Sequence, residues 1–240
     1  MAALNNFETI WACVSIVQNI FPNRFILVGG AGNMLTGSGR QTDDIDLLIP
    51  TDTDASVVTQ SLLRITGFTA PNGVLAFHGK TTMTIDLLHS VAGDATFEEL
   101  RQHTTTVGGI PLLDLETALA IKIKCYNLRP DNESGDKKRS SDIADIKWLA
   151  QQMVGRGQEM SESTAKLFPI GHYYLVLVRL AMTEHQVSLL VKAGVKKMLR
   201  PWNEDTDDQK EFFEFFAEPG TCPLTGELFD EDEGNDESKE

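Results

Sequence analysis

Apolar side chains recur at helical spacing near the N-terminus: Phe7, Ile10, Trp11, Val14 and Val17. The spacing predicts a packed amphipathic helix; no basic leader or small-residue cleavage site marks a signal peptide. The pattern then changes. "RFILVGG" is a short apolar run closed by glycines and reads as a buried strand, with "AGNMLTGSG" a short helix or helical turn after it. "DDIDLLIP" reads as the next strand, stopped by Pro50. Helical periodicity over 53–66 ends at Gly67, a candidate C-cap. "VLAFHGKTTMTIDLLHS" predicts a hairpin, with Val74 to His78 and Thr82 to Leu88 flanking a tight turn at Gly79-Lys80. "GGIPLLD" brings the chain back along the sheet, and Asp114 is placed to cap a helix through "LETALAIKIKCYNLR" that Pro130 stops. "PDNESGDKK" reads as a polar loop, and "SSDIADIKWLAQQM" as a helix opened by serine and aspartate. Beyond Gly155 the pattern is helical: a segment near 160–168, a long one over about 172–198, and an aromatic one around "DQKEFFEFFA".

These elements predict an α/β (α+β) chain, a small mixed sheet flanked by helices with a helical C-terminal region. The expected division is a core over 1–155, a helical region over 156–220 and an acidic tail over 221–240. No internal repeat is visible. The formal net charge of −14 is concentrated at one end: from Asn203 onward there are 15 acids against two bases, a net of −13. The body is therefore nearly neutral, and the low pI does not exclude a nucleic-acid substrate. "FDEDEGNDESKE" has almost nothing to bury and is expected to be a disordered, solubilising tail. The tail and the aromatic segment (Phe212, Phe213, Phe215, Phe216) are the candidate sites for a protein partner. No apolar run is long enough to span a membrane. Cys13, Cys125 and Cys222 lie far apart without metal-type spacing, as expected for reduced thiols and a cytoplasmic setting.

The candidate chemistry lies in "FILVGGAGNMLTGSGRQTDDIDLLIP". Asp44 and Asp46 are separated by Ile45, so on a strand both carboxylates point to one side. Adjacent carboxylates repel unless a proton or cation lies between them. Asp86 sits within the apolar strand "TMTIDLLHS", where an unpaired acid would cost several kcal/mol. If the two strands are neighbours, three carboxylates converge, a donor set for one or two Mg²⁺ ions, with Mn²⁺ the alternative. Such ions activate an attacking hydroxyl and stabilise a leaving pyrophosphate. A one-residue slip of register would turn Asp86 to the opposite face. Gly29 and Gly30 end a strand where a helix begins, which lets backbone amides approach phosphates.

"GG…GRQTDDIDLL" resembles the signature of the DNA polymerase beta-type nucleotidyltransferase superfamily, and is most similar to its minimal and AbiEii/MenA-like branch. The matching positions are Arg40, Thr42, Asp44, Ile45, Asp46 and Leu47, which makes Asp43 the variable position. A helix with lysine and, seven residues later, arginine has its counterpart in Lys122 and Arg129. A following Lys-Asp-x-x-Asp helix is matched by Asp142 and Asp145, but Ser141 stands where the lysine would be, with Lys137, Lys138 and Arg139 nearby. From the residues themselves, Asp142 and Asp145 read more simply as N-terminal charges favouring the helix dipole.

The resemblance covers roughly residues 25–150. It implies that Asp44, Asp46 and Asp86 hold the metal and that Asp86 activates the acceptor hydroxyl. It also implies that Gly29, Gly30, Ser38, Arg40, Lys122 and Arg129 bind nucleotide phosphates. The implied function is Mg²⁺-dependent transfer of a nucleoside monophosphate from an NTP, such as ATP, to an acceptor hydroxyl, with release of pyrophosphate. The acceptor could be a small molecule, an RNA 3′ end or a protein. The competing expectation is a non-catalytic protein of the same fold that binds a nucleotide or a partner.

Overall fold

A computed structural model describes residues 2–201, 204–207, 209–211 and 221–226, with side chains from residue 4 onward. The chain divides into two compact units, Met1–Gln152 and Met153–Glu240.

The first unit opens with helix α1 (Ala2–Ile20), followed by strand β1 (Ile26–Val28), helix α2 (Gly29–Leu35), strand β2 (Asp44–Leu48) and helix α3 (Ala55–Leu62). Strands β3 (Phe68–Thr69), β4 (Ala76–His78) and β5 (Thr82–Leu88) come next, then a small hairpin of β6 (Ser90–Val91) and β7 (Ala95–Thr96), and helix α4 (Phe97–Leu100). Strands β8 (Thr104–Val107) and β9 (Ile110–Leu113) lead into helices α5 (Leu115–Leu128) and α6 (Glu133–Gly155). The main sheet is mixed, in the order β3-β4-β5-β2-β1-β9-β8. β2 lies at its centre, antiparallel to β1 and parallel to β5.

Strand alternation assigns the two faces. Leu27, Ile45, Leu47, Met83, Ile85 and Leu112 point into a core shared with Ile10, Val14 and Val17 of α1 and with Met34 and Leu62. Each such side chain contributes about 1.5–3 kcal/mol when fully buried. The alternate positions Asp44, Asp46 and Asp86 are therefore on the opposite face, away from α1.

Several boundaries differ from the sequence expectation. α3 is capped by Asp54, which accepts from the Ser56 amide, and stops at Leu62 rather than at Gly67. Gly67 instead turns the chain at φ +99, presenting Phe68 to Phe77 in the β3/β4 pair. The β8–β9 hairpin, absent from the sequence reading, turns on Gly108 and Gly109, both at positive φ; two glycines between β-rich runs are the signal for that turn. "ESGDKK" is helical: α6 begins at Glu133, with Asn132 Oδ1 accepting from the Gly135 amide at 2.9 Å. The mid-helix hydroxyls of Ser140 and Ser141 return to the carbonyls of Asp136 and Lys137, so these serines do not open a helix.

In the second unit, α7 (Glu162–Leu167) is capped by Ser161. The long helix expected over 172–198 is three pieces: α8 (His172–Leu180), α9 (Glu184–Lys192) and a 3₁₀ turn (Val195–Met198). Thr183 breaks it by forming a capping box with Gln186, and Gly194 at φ +73 ends α9. Buried Asp205 accepts from the His172 backbone amide at 3.0 Å and from Arg200 Nε at 3.0 Å, tying the chain after Arg200 to the start of α8. The aromatic segment is described only at 209–211, and the acidic tail only at 221–226, so both expectations lie essentially outside the described residues. Among the described residues no helix is long and apolar enough to cross a membrane.

Candidate active site

The parallel register of β2 and β5 decides the position of the third acid. Asp46 is abreast of Asp86, and Asp44 of Thr84. Neighbouring strands lie about 4.8 Å apart and alternate residues of one strand about 6.7 Å apart. Asp44, Asp46 and Asp86 therefore share one face of the sheet, Asp44 and Asp86 on a diagonal of about 8 Å, and their carboxylate oxygens do not all lie within 4.8 Å of one another. Asp44 and Asp46 are half-buried, and Asp86 is exposed.

The glycines follow from the same geometry. Val28 pairs with Asp46 across the antiparallel β1/β2 ladder, which brings Gly29 against the Asp46 carboxylate. A Cβ on Gly29 would collide with Asp46 Oδ2, and φ is +67 there, a region that side chains rarely adopt. A Cβ on Gly30 would meet the Arg40 guanidinium and, at 2.8 Å, Thr42 Oγ1. Both glycines are thus needed to seat the acids and the loop before them.

That loop is held from several sides. Asn6 of α1 donates to the Thr42 carbonyl at 2.9 Å. Thr42 Oγ1 in turn donates to Asp44 Oδ1, fixing one oxygen of the first acid. Buried Ser38 accepts from the Arg40 amide at 3.3 Å, so its hydroxyl orders its own loop. Arg40 is clamped at two points by Asp145 of α6, with Nε to Oδ1 at 2.7 Å and Nη2 to Oδ2 at 3.0 Å.

Asp145 and Asp142 organise the cations. Lys122 Nζ lies 2.9 Å from Asp145 Oδ2 and 3.1 Å from Asp142 Oδ1. Arg129 grips Asp142 through Nε at 2.7 Å and Nη2 at 3.2 Å. The result is one chain of charges, Arg40–Asp145–Lys122–Asp142–Arg129. Both aspartates are buried in the middle of α6, so they are not the N-terminal dipole charges that their sequence context suggested. Their signal in the sequence was two acids three residues apart, interleaved with Ile143 and Ile146, on a helix face that has to be buried. Burial alone would raise the Asp145 carboxyl, but Lys122 and Arg40 outweigh it and hold it below the ordinary range. Burial alone would lower Lys122, and Asp145 and Asp142 reverse that.

Asp46 behaves oppositely. Burial, then the charges of Asp44 and Asp86, push its carboxyl up from 3.8 to about 6, against opposition from Lys122 and Lys138. Burial and the two neighbouring acids together thus outweigh the nearby cations at Asp46. Three carboxylates on a half-open face suit a hard divalent cation such as Mg²⁺ or Mn²⁺.

A second group of metal-competent side chains lies at the same end of the sheet. His103, Asp114 and Glu116 bring one ligand atom each within 4.8 Å of one another. Leu112 of β9 pairs in parallel with Leu27, so Asp114 leaves the sheet beside Gly29, about 10 Å (two strand spacings) from the Asp46 column. Asp114 Oδ1 already accepts from the Thr117 amide at 2.8 Å, as the cap of α5.

No protein-family model matches the sequence, and no curated protein matches it in a sequence search. Among solved structures, the fold is similar to that of an antigenic nucleotidyltransferase-like protein from Paracoccidioides brasiliensis. The TM-score is 0.50 at 17% identity, covering 78% of this chain and 92% of the other. JHP933 from Helicobacter pylori also matches, with TM-score 0.44 at 15% identity, covering 89% of this chain and 88% of the other. The first likeness supports a nucleotidyltransferase fold for this chain.

Proposed function

We propose that this chain is a divalent-metal-dependent nucleotidyltransferase that moves a nucleoside monophosphate from an NTP to an acceptor hydroxyl and releases pyrophosphate. Within that superfamily we assign it to the minimal, AbiEii/MenA-like branch. One observation carries the reading: the β2/β5 register sets Asp86 abreast of Asp46, on the face that also carries Asp44. Asp44, Asp46 and Asp86 would hold Mg²⁺, which when bound neutralises phosphate charge and polarises the reacting oxygens.

The residues of the chain supply the rest. Gly29, beside the Asp46 carboxylate, would let the backbone at the start of α2 approach the triphosphate, and Gly30 makes room for Arg40 and Thr42. Arg40, Lys122 and Arg129, held by Asp142 and Asp145, form the polar wall on the phosphate side together with Ser38, which accepts from the Arg40 amide. Exposed Asp86 accepts the proton of the acceptor hydroxyl as that oxygen bonds to the α-phosphorus and the bond to pyrophosphate breaks. The catalytic power then comes from positioning and charge compensation, without a covalent intermediate.

Calorimetry with each NTP, with and without Mg²⁺, tests this. Mg²⁺-dependent binding that disappears in an Asp44→Asn/Asp46→Asn variant is the expected result; no binding of any NTP by the folded protein overturns it. A second reading is favoured by one observation: Arg40, Lys122 and Arg129 are all committed to ion pairs with Asp142 and Asp145. On that reading the fold binds a nucleotide without turnover, and pyrophosphate release in the presence of acceptors separates the two.

A further inference from the structure

The cations assigned to phosphate binding are each already matched by a carboxylate. Lys122 touches Asp142 and Asp145, Arg40 touches Asp145, and Arg129 touches Asp142. With Asp44, Asp46 and Asp86 added, this group holds five acids against three bases. A triphosphate brings up to four more negative charges, and bound metal offsets only part of the total. The site therefore calls for a cation that no carboxylate already holds.

Helix α6 supplies one. Lys138, Asp142 and Asp145 stand at i, i+4 and i+7, so they share one helix face. Asp142 and Asp145 point from that face into the chain of charges, and Lys138 extends the face by one turn, about 6 Å, toward the start of α6. Its side chain is exposed, and among the described residues it has no carboxylate partner. The neighbouring bases are engaged elsewhere: Lys137 with Glu133, and Arg139 with Asp131 and Asp136.

We propose that Lys138 is the substrate-contacting cation of this site, its ammonium engaging the terminal phosphates of the nucleoside triphosphate. The inference rests on the proposed function and deepens it. Residues 137–139 are basic throughout, and only the helical register distinguishes Lys138 from its neighbours. Lys138 thereby takes up, one turn earlier, a position on the site-facing side of a helix that carries serine at 141.

The test compares Lys138→Gln, Lys138→Arg and Lys137→Gln. The last removes the same formal charge from the adjacent position, where the lysine pairs with Glu133. Binding of each NTP, of the matching NMP and of inorganic tripolyphosphate is measured by calorimetry with Mg²⁺, and thermal melts verify that each variant is folded. A charge-assisted contact predicts that Lys138→Gln weakens NTP and tripolyphosphate binding about ten- to a hundredfold. NMP binding should stay unchanged, Lys138→Arg should retain most of the affinity, and Lys137→Gln should match the parent protein. Equal NTP affinity in Lys138→Gln and Lys137→Gln would overturn the role of Lys138 while leaving the nucleotidyltransferase reading intact. Failure of the parent protein to bind any NTP or tripolyphosphate would remove both.

Discussion

Replacing Asp46 by asparagine should stabilise the metal-free protein. The carboxyl is pushed up from 3.8 to about 6 by burial and by the charges of Asp44 and Asp86. Its proton is therefore bound more tightly in the folded state than in the unfolded chain. Ionised Asp46 opposes folding, and this cost is absent below pH 4, grows as pH rises from about 4 to about 6, and is constant above that. About two pH units at about 1.4 kcal/mol each give an upper value of about 3 kcal/mol. Asp46 keeps some contact with solvent, which reduces the expected effect to about 1–2 kcal/mol. Asparagine has nearly the same shape and no charge, so urea unfolding of Asp46→Asn in EDTA at pH 7.5 should show that gain. The gain should shrink toward zero near pH 4. Added Mg²⁺ should reverse the order: the parent protein gains about 2.7 kcal/mol at a hundred times its Kd, and the variant gains almost nothing. If Asp46→Asn were no more stable than the parent in EDTA at pH 7.5, the claim that burial and the neighbouring acids disfavour ionised Asp46 without a cation would be refuted.

Three further outcomes follow from the same geometry. Asp145→Ala strands Arg40 and leaves Lys122, only 12% exposed, with Asp142 as its remaining carboxylate, and should cost about 1–3 kcal/mol in urea unfolding; no measurable loss would show that these pairs do not hold the loop. Gly29→Ala places a Cβ against the Asp46 carboxylate at φ +67. It should cost about 1–3 kcal/mol of stability and weaken Mn²⁺ binding, measured by electron paramagnetic resonance, at least about tenfold if the carboxylate moves by even about 1 Å. In the parent protein, Mn²⁺ affinity should be flat above about pH 6 and fall by about tenfold per pH unit below it, as Asp46 takes up its proton; a profile flat down to pH 4 would exclude Asp46 as a ligand.

Much of this molecule is determined by local pattern. Alternation in "DDIDLL" and "TMTIDLL" assigned the acids to one face of each strand, because successive side chains of a regular strand point to opposite faces. The N-terminal helix, the first hairpin and the Asp114 cap were legible for the same reason: each depends on neighbours within a few residues. Three things depended on contacts distant in sequence. The β2/β5 register, which joins residues about forty positions apart, alone brought Asp86 level with Asp46. The carboxylate partner of Arg40 lies 105 residues away, so no local pattern could show that it is clamped by Asp145. Asp142 and Asp145 looked like charges at the start of a helix, until the helix proved to begin at Glu133 and its buried face required cations. Local pattern settles which side chains can share a face. Which faces meet is set by long-range contacts, because pairing across a sheet and neutralising a buried charge depend on groups that the chain brings together as it folds.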